Sequence, residues 1–326
     1  MSDLMKPDLS ATIAGVTFRN PVIAASGTFG YGTEYGRVVD VASLGGVCSK
    51  GLTLQAKPGN TGLRLVETPS GLINSIGLEN PGIPHFIAHE LKSMLSLGPV
   101  VIANLSGSTM ETYVDGASLL DATEVPMIEL NISCPNVKAG GMAWGLDCDA
   151  AGSITAAVRK ATKKPLVVKL SPNAPHLVDV ARSVVDAGAD ALSLVNTFQS
   201  FSVDIERGKP SFDNVTAGLA GPAIRPIALR MLRDIVLGVS ECHPDRDPEH
   251  SGSAGDGRFV PVIGLGGIAT WRDAVEFIMT GATAIQVGTA TFANPRAMEE
   301  IVSGLEAFML RKGYASLADM RGIAIR

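Results

Sequence analysis

Eight short apolar runs, each closed by a polar or glycine residue, constrain this chain more than any other feature. They lie at 21–25, 45–49, 99–103, 126–130, 165–168, 190–195, 260–263 and 283–287. Runs of this length and character read as strands buried on both faces. Amphipathic helices are expected in the gaps at 149–162, 175–187, 222–238, 270–280 and 295–312. Eight strands alternating with helices predict an α/β chain, with residues 1–326 forming one (β/α)8 TIM barrel rather than two domains. A small N-terminal hairpin is expected at 11–18, turning near Gly15. The 36 glycines suit many tight strand-to-helix turns. A hydrophobic content of 46% against 18% charged residues leaves enough apolar surface for a large core.

Active sites of such barrels sit at the C-terminal ends of the strands. Ser26, Lys50, Asn104, Asn131, Lys169, Asn196, Thr197 and Thr289 all fall there. One polar strand end is routine, whereas a series of Asn, Lys, Ser and Thr suggests a cofactor ringed by hydrogen-bond donors. Two long connections, 51–84 and 198–221, lie on the same C-terminal face and read as pocket walls or a lid. The segment 240–258 is polar and precedes a strand, so it reads as a mobile insertion on the opposite face.

The residues narrow the chemistry. Gly264, Gly266 and Ala269 match a dinucleotide fingerprint, but no acidic residue closes the following strand, which ends at Val287, Gly288 and Thr289. A better fit is the phosphate site that such barrels build after strands seven and eight. Backbone N–H groups of Gly266, Gly267, Gly288 and Thr289 would then hold a monophosphate; the plainer alternative is a pair of tight turns. Lys50 and Lys169 end strands two and five, where an unpaired ammonium is costly to bury. They fit a Schiff-base lyase or charge compensation beside an anionic ligand or a reduced flavin. Phosphate turns, lysines, asparagines and the loop thiol Cys134 together suit flavin mononucleotide (FMN).

Several classes are excluded. A net charge of −5 without a basic stripe argues against nucleic acid. Cys48, Cys134, Cys148 and Cys242 show neither a CxxC pair nor metal spacing, so no metal is expected and a reducing compartment is. No apolar run reaches the length of a membrane span, and Met1 to Pro7 carry no apolar h-region. A cytoplasmic protein without a membrane partner is expected.

Longer motifs then carry a resemblance. Asn131-Ile132-Ser133-Cys134-Pro135-Asn136, the stretch from Asn74 through Gly77 and Leu78 to Gly82, Ala25 to Gly30, and Val287-Gly288-Thr289 together resemble dihydroorotate dehydrogenase. The likeness runs in order from about residue 10 to the C-terminus. Cysteine at 134 resembles the soluble class; the membrane-bound, quinone-using class has serine there. Ser26 to Tyr35 and Pro135 to Gly141 resemble the NAD-linked class 1B catalytic subunit more than the fumarate-using class 1A homodimer.

That resemblance implies oxidation of dihydroorotate to orotate in the de novo synthesis of pyrimidines. Cys134 would take the C5 proton, and the C6 hydride would go to FMN. Lys50 would lie between flavin and substrate as a second catalytic residue. Lys169 would offset charge on reduced flavin. The resemblance assigns FMN contacts to Ser26, Lys50, Gly51, Asn104, Asn131, Lys169, Val195 and Gly221, besides the glycine turns at Gly266, Gly267, Gly288 and Thr289. It assigns the pyrimidine and its carboxylate to Lys50, Asn74, Ser75, Ile76, Gly77 and Leu78, with Asn131, Asn196 and Thr197. It further implies a partner subunit carrying FAD and a [2Fe–2S] cluster that passes electrons to NAD⁺. In that assembly this chain would form the homodimer core of a heterotetramer.

Overall fold

The computed structural model describes residues 6–133, 144–241 and 260–325. Strands β1 (Ala11–Ile13) and β2 (Val16–Phe18) form the expected hairpin, with Ala14 and Gly15 at positive φ in its turn. β3 (Val22–Ala24) and β4 (Gly46–Cys48) begin a barrel. β5 (Leu65–Thr68) and β6 (Gly71–Asn74) follow as an antiparallel pair. β7 (Val100–Leu105), β8 (Met127–Asn131), β9 (Leu166–Lys169) and β10 (Ala191–Leu194) continue the barrel. The next connection holds β11 (Phe198–Phe201), β12 (Val203–Asp204), β13 (Lys209–Pro210) and β14 (Thr216–Ala220). β15 (Val262–Leu265) and β16 (Ala284–Val287) complete it.

The barrel closes in the order β3-β4-β7-β8-β9-β10-β15-β16, with β16 paired back to β3 and every pair parallel. This is the (β/α)8 barrel that the eight apolar runs predict. Helices Met110–Asp121, Cys148–Ala161, Leu177–Asp186, Arg225–Glu241, Trp271–Met279 and Ala297–Lys312 lie in the connections. Their starts are set locally. Asp147 accepts from the Ala150 N–H, and Thr270 with Asp273 forms a capping box. Leu177–Asp186 buries Val180, Ala181 and Val184, one stripe of the helix.

Inside the barrel the strands alternate by twos, and the alternation makes two layers. The lower layer holds Ile23, Cys48, Ile102, Met127, Val167, Ala191, Ile263 and Ala284, closed beneath by Ile13 and Phe18 of the hairpin. Two residues further along five of these strands come Asn104, Glu129, Lys169, Ser193 and Gln286, all buried. The same pleat that aims an apolar side chain inward below aims a polar one inward above.

Two sequence expectations are refined. The connections 51–84 and 198–221 are not simply loops: β5, β6, β14 and β11 form a four-stranded antiparallel sheet. A Cβ at Gly71 would collide with the Ala220 carbonyl, so glycine permits this sheet to close. The helix Arg225–Glu241 runs two residues into the segment read as an insertion from 240; residues 242–259 lie outside the described residues.

Candidate active site

The polar layer is organised around Glu129, which is fully buried in β8. Its Oε2 accepts from Ser193 Oγ at 2.9 Å and Gln286 Nε2 at 2.7 Å. Its Oε1 accepts from Asn104 Nδ2 at 2.6 Å and lies 3.4 Å from Lys169 Nζ. Burial pushes this carboxyl up, but the Lys169 charge and the bonds from Gln286, Ser193 and Asn104 outweigh burial and hold it below the usual carboxylate range. The buried carboxylate is therefore ionised at neutral pH and paired. The Cys48 thiol, 3.5 Å from Oε1, is pushed well up by burial and then by Glu129. It is an inert donor in the floor.

A relay of amides climbs from this floor. Asn131 Nδ2 donates to Asn104 Oδ1 at 3.3 Å, Ser133 Oγ donates to Asn131 Oδ1 at 2.8 Å, and Asn196 Nδ2 donates to Ser133 Oγ at 2.6 Å. The β7, β8 and β10 ends are thereby tied to one another. Above the relay opens a cavity of about 350 Å³, within the range of small-molecule sites. Lys50, Gly51, Asn74, Ile76, Gly77, Leu78, Asn104, Asn131, Asn196 and Thr197 line it, with Leu65, Leu72, Gly218 and Ala220 of the upper sheet as a wall. Leu78 holds positive φ, and its Cδ2 lies 2.9 Å from where a Cβ at Gly51 would stand. Glycine at 51 thus lets the upper loop close onto the strand end.

A second recess of about 100 Å³ shares Ser26, Thr28, Asn196, Thr197, Ala220 and Thr289 with the first. Lys169, Val195, Gly221, Gly266, Gly267, Gln286 and Gly288 also line it, with Ala25, Ile224 and Leu265. Gly266 and Gly267 have φ of +124° and +78°. Among the described residues, the backbone N–H groups of Gly266, Gly267, Gly288 and Thr289 donate to no protein acceptor. The Arg225 guanidinium is engaged by Asp273 and lies 3.7 Å from Glu276. An anion beside these turns would be held by backbone donors, with the Lys169 ammonium in the same recess.

The family model of dihydroorotate dehydrogenase matches residues 8–243 and 254–309. The chain belongs to the dihydroorotate dehydrogenase family. Curated relatives match nearly end to end. The dihydroorotate dehydrogenase B (NAD(+)) catalytic subunit of Petrotoga mobilis is 50% identical over 316 residues, covering 97% of this chain and 99% of the relative. The proteins of the same name from Pelobacter propionicus and Geotalea uraniireducens are each 46% identical over 321 residues, covering 98% and 99%.

Against this dihydroorotate dehydrogenase membership, the expected site residues can be located one by one. Ser26, Lys50, Gly51, Asn74, Ile76, Gly77, Leu78, Asn104, Asn131, Asn196, Thr197 and Thr289 line the larger cavity. Lys169, Val195, Gly221, Gly266, Gly267 and Gly288 line the recess. Ser75 does not line either one; its Oγ accepts from Asn60 at 2.9 Å and Asn214 at 3.4 Å, behind the wall. Cys134 lies outside the described residues, one position beyond Ser133. Sequence reasoning missed Glu129, Ser193 and Gln286. The available signal was a carboxylate inside the apolar run Met127-Ile128-Glu129-Leu130. It also missed Glu79 at the mouth, where the 2.5 Å bond from Arg64 Nη1, then the Lys50 and Arg64 charges, hold the carboxyl below its usual range. Phe292, about half exposed, stands at the same rim.

Proposed function

We propose that this chain is the catalytic subunit of an NAD-linked dihydroorotate dehydrogenase, oxidising dihydroorotate to orotate in the de novo synthesis of pyrimidines. The observation that carries the reading is the joining of an amide-lined cavity to a recess whose glycine turns present free backbone donors. The near full-length relatives bearing that name support it.

The residues present fit FMN. Backbone N–H groups of Gly266, Gly267, Gly288 and Thr289, with Gly221 beside them, would hold its phosphate. Ser26, Lys50, Gly51, Asn104, Asn131, Lys169 and Val195 would hold its ring. When bound, FMN supplies the acceptor for a hydride. A ring system with imide edges needs both donors and acceptors, and the asparagine relay offers both.

Asn74, Ile76, Gly77, Leu78, Asn131, Asn196 and Thr197 would orient dihydroorotate, with Lys50 beside its carboxylate. Ser75 supports the wall from behind. Cys134 is assigned the base that removes the C5 proton, while the hydride leaves C6 and the C5=C6 double bond of orotate forms. Ser133, the residue before Cys134 in the sequence, is anchored to two strand ends. A thiol pKa of about 8.5 leaves a minor thiolate fraction at neutral pH, so its placement has to compensate.

A partner subunit would hold FAD and a [2Fe–2S] cluster and supply the path for electrons to NAD⁺, with two copies of this chain at the core of a heterotetramer. The word "subunit" in the relatives' name supports a partner. The four cysteines at 48, 134, 148 and 242 are too scattered to hold a cluster here. The described helices include none long and apolar enough to cross a membrane, and a cytoplasmic location is proposed.

The test is an anaerobic titration of the purified yellow protein with dihydroorotate, followed by NAD⁺. Bleaching by dihydroorotate with NAD⁺ reduction appearing only after the partner is added is the expected result. Rapid turnover with fumarate would move the chain to class 1A. A colourless protein trapped by borohydride with its substrate would replace the reading with a Schiff-base lyase.

A further inference from the structure

Glu129, unlike its partner Lys169, has no task in the reaction as described above. Nor is an ion pair needed to fill the barrel at that height. Apolar residues fill the layer below, and replacing a buried ion pair by well-packed hydrophobes often leaves stability unchanged or improved. The geometry of the pair is informative. Lys169 Nζ lies 3.4 Å from Glu129 Oε1, 3.3 Å from Ser26 Oγ and 3.4 Å from Gln286 Oε1. Each is longer than the roughly 2.7–2.9 Å of a tight charge-assisted bond. Glu129, by contrast, is locked by short bonds from Asn104, Ser193 and Gln286. A rigid carboxylate thus sits beneath a loosely held ammonium, and that ammonium lines the recess.

We propose that Glu129 is a positioning residue that offsets the Lys169 charge at the floor of the site and so limits how strongly the site prefers reduced over oxidised FMN. The inference rests on the FMN reading given above. Reduction adds negative charge to a bound flavin. An unopposed ammonium in a buried site would favour that form strongly, because charge–charge terms are large where water is excluded. With Glu129 at 3.4 Å behind it, Lys169 presents a hydrogen-bond donor whose net field is small. The site then releases electrons to the next carrier rather than retaining them.

The experiment compares wild-type protein with Glu129→Gln, Glu129→Asp and Lys169→Met. Dissociation constants for oxidised FMN come from fluorescence quenching. Those for reduced FMN follow from the midpoint potential of the bound flavin relative to free FMN. Glu129→Gln keeps the shape and removes the charge. The preference for reduced over oxidised FMN should rise by at least about tenfold, and Lys169→Met should lower it. Glu129→Asp draws the charge back by one methylene and should move the ratio in the same direction by a smaller factor, about twofold to fivefold. That variant decides the matter if the glutamine form does not fold. A Gln or Asp variant that weakens both forms equally, or shifts the ratio the other way, overturns the proposal and leaves the FMN reading intact. A wild-type chain that binds neither form of FMN overturns both.

Discussion

Asn196 Nδ2 donates to Ser133 Oγ at 2.6 Å, and Ser133 Oγ donates onward to Asn131 Oδ1 at 2.8 Å. One hydroxyl therefore ties two strand ends together immediately before Cys134. Ser133→Ala removes both bonds while leaving the cavity's other amides in place. A hydrogen bond of this kind is worth about 0.5–1.5 kcal/mol, and about 1.4 kcal/mol is tenfold in rate. Reduction of bound FMN by dihydroorotate should slow about tenfold at unchanged FMN content, measured by anaerobic stopped flow. An unaltered rate would show that the Ser133 bonds do not bear on the reaction.

Cys134→Ala should keep FMN bound, because the thiol is assigned to the substrate. Reduction by dihydroorotate should fall by about 10²–10⁴-fold, the usual effect of losing a positioned base. Cys134→Ser should retain slight activity that favours high pH. Near wild-type reduction by the alanine variant would remove Cys134 from the mechanism.

Gly266 has φ of +124°, and a Cβ there would lie 2.7 Å from the Ala228 Cβ and 3.1 Å from Val195 Cγ2. Gly266→Ala must shift the turn and re-aim its N–H. The dissociation constant for FMN, followed by fluorescence quenching, should rise by at least about tenfold. Gly208→Ala is the control. It also has positive φ, but nothing lies within 4 Å of its Cβ position, and it sits in the turn between β12 and β13. Equal FMN affinity in both variants would count against the phosphate assignment.

Tyr31 concerns stability rather than chemistry. Burial, then the charges of Glu90 and Glu34, pushes its hydroxyl up to about 12. Its oxygen finds no hydrogen-bond partner among the described residues. Because the folded value is raised, the native state keeps this proton longer than the unfolded chain. The contribution is intact below the unfolded value of about 10 and is lost as pH rises through about 12. Tyr31→Phe should flatten the alkaline fall in Tm over that window and add about 1 kcal/mol at neutral pH by removing an unsatisfied group. Thermal scans between pH 7 and about 12 check both. An alkaline limb as steep as that of wild type would place the titrating group elsewhere.

The barrel is legible in the sequence because strands buried on both faces leave continuous apolar runs, such as Val100 to Ala103 and Leu166 to Val168. The cavity is legible because each run ends in a residue that apolar packing does not need, as at Asn104, Asn131 and Lys169. The role of Glu129 was not legible beyond the oddity of a carboxylate in an apolar run. The residue lies within a strand rather than at its end, and its partners Ser193 and Gln286 come from two other strands that meet it across the barrel. Neither was the upper sheet. Its strands of four and five residues carry Gly71 and Gly218, which read as turn formers. Here they are the places where one backbone approaches another chain segment: Ala220 over Gly71 and Thr197 over Gly218. Ser75 shows a limit of motif reasoning. It sits between Asn74 and Ile76, both on the cavity, and the local chain turns it the other way.

Ile13 and Phe18 stopper the barrel from below. Among the described residues the base offers no way through, so on the reading proposed above dihydroorotate and orotate would both use the C-terminal face. Orotate still seated there would then compete with the next dihydroorotate for entry.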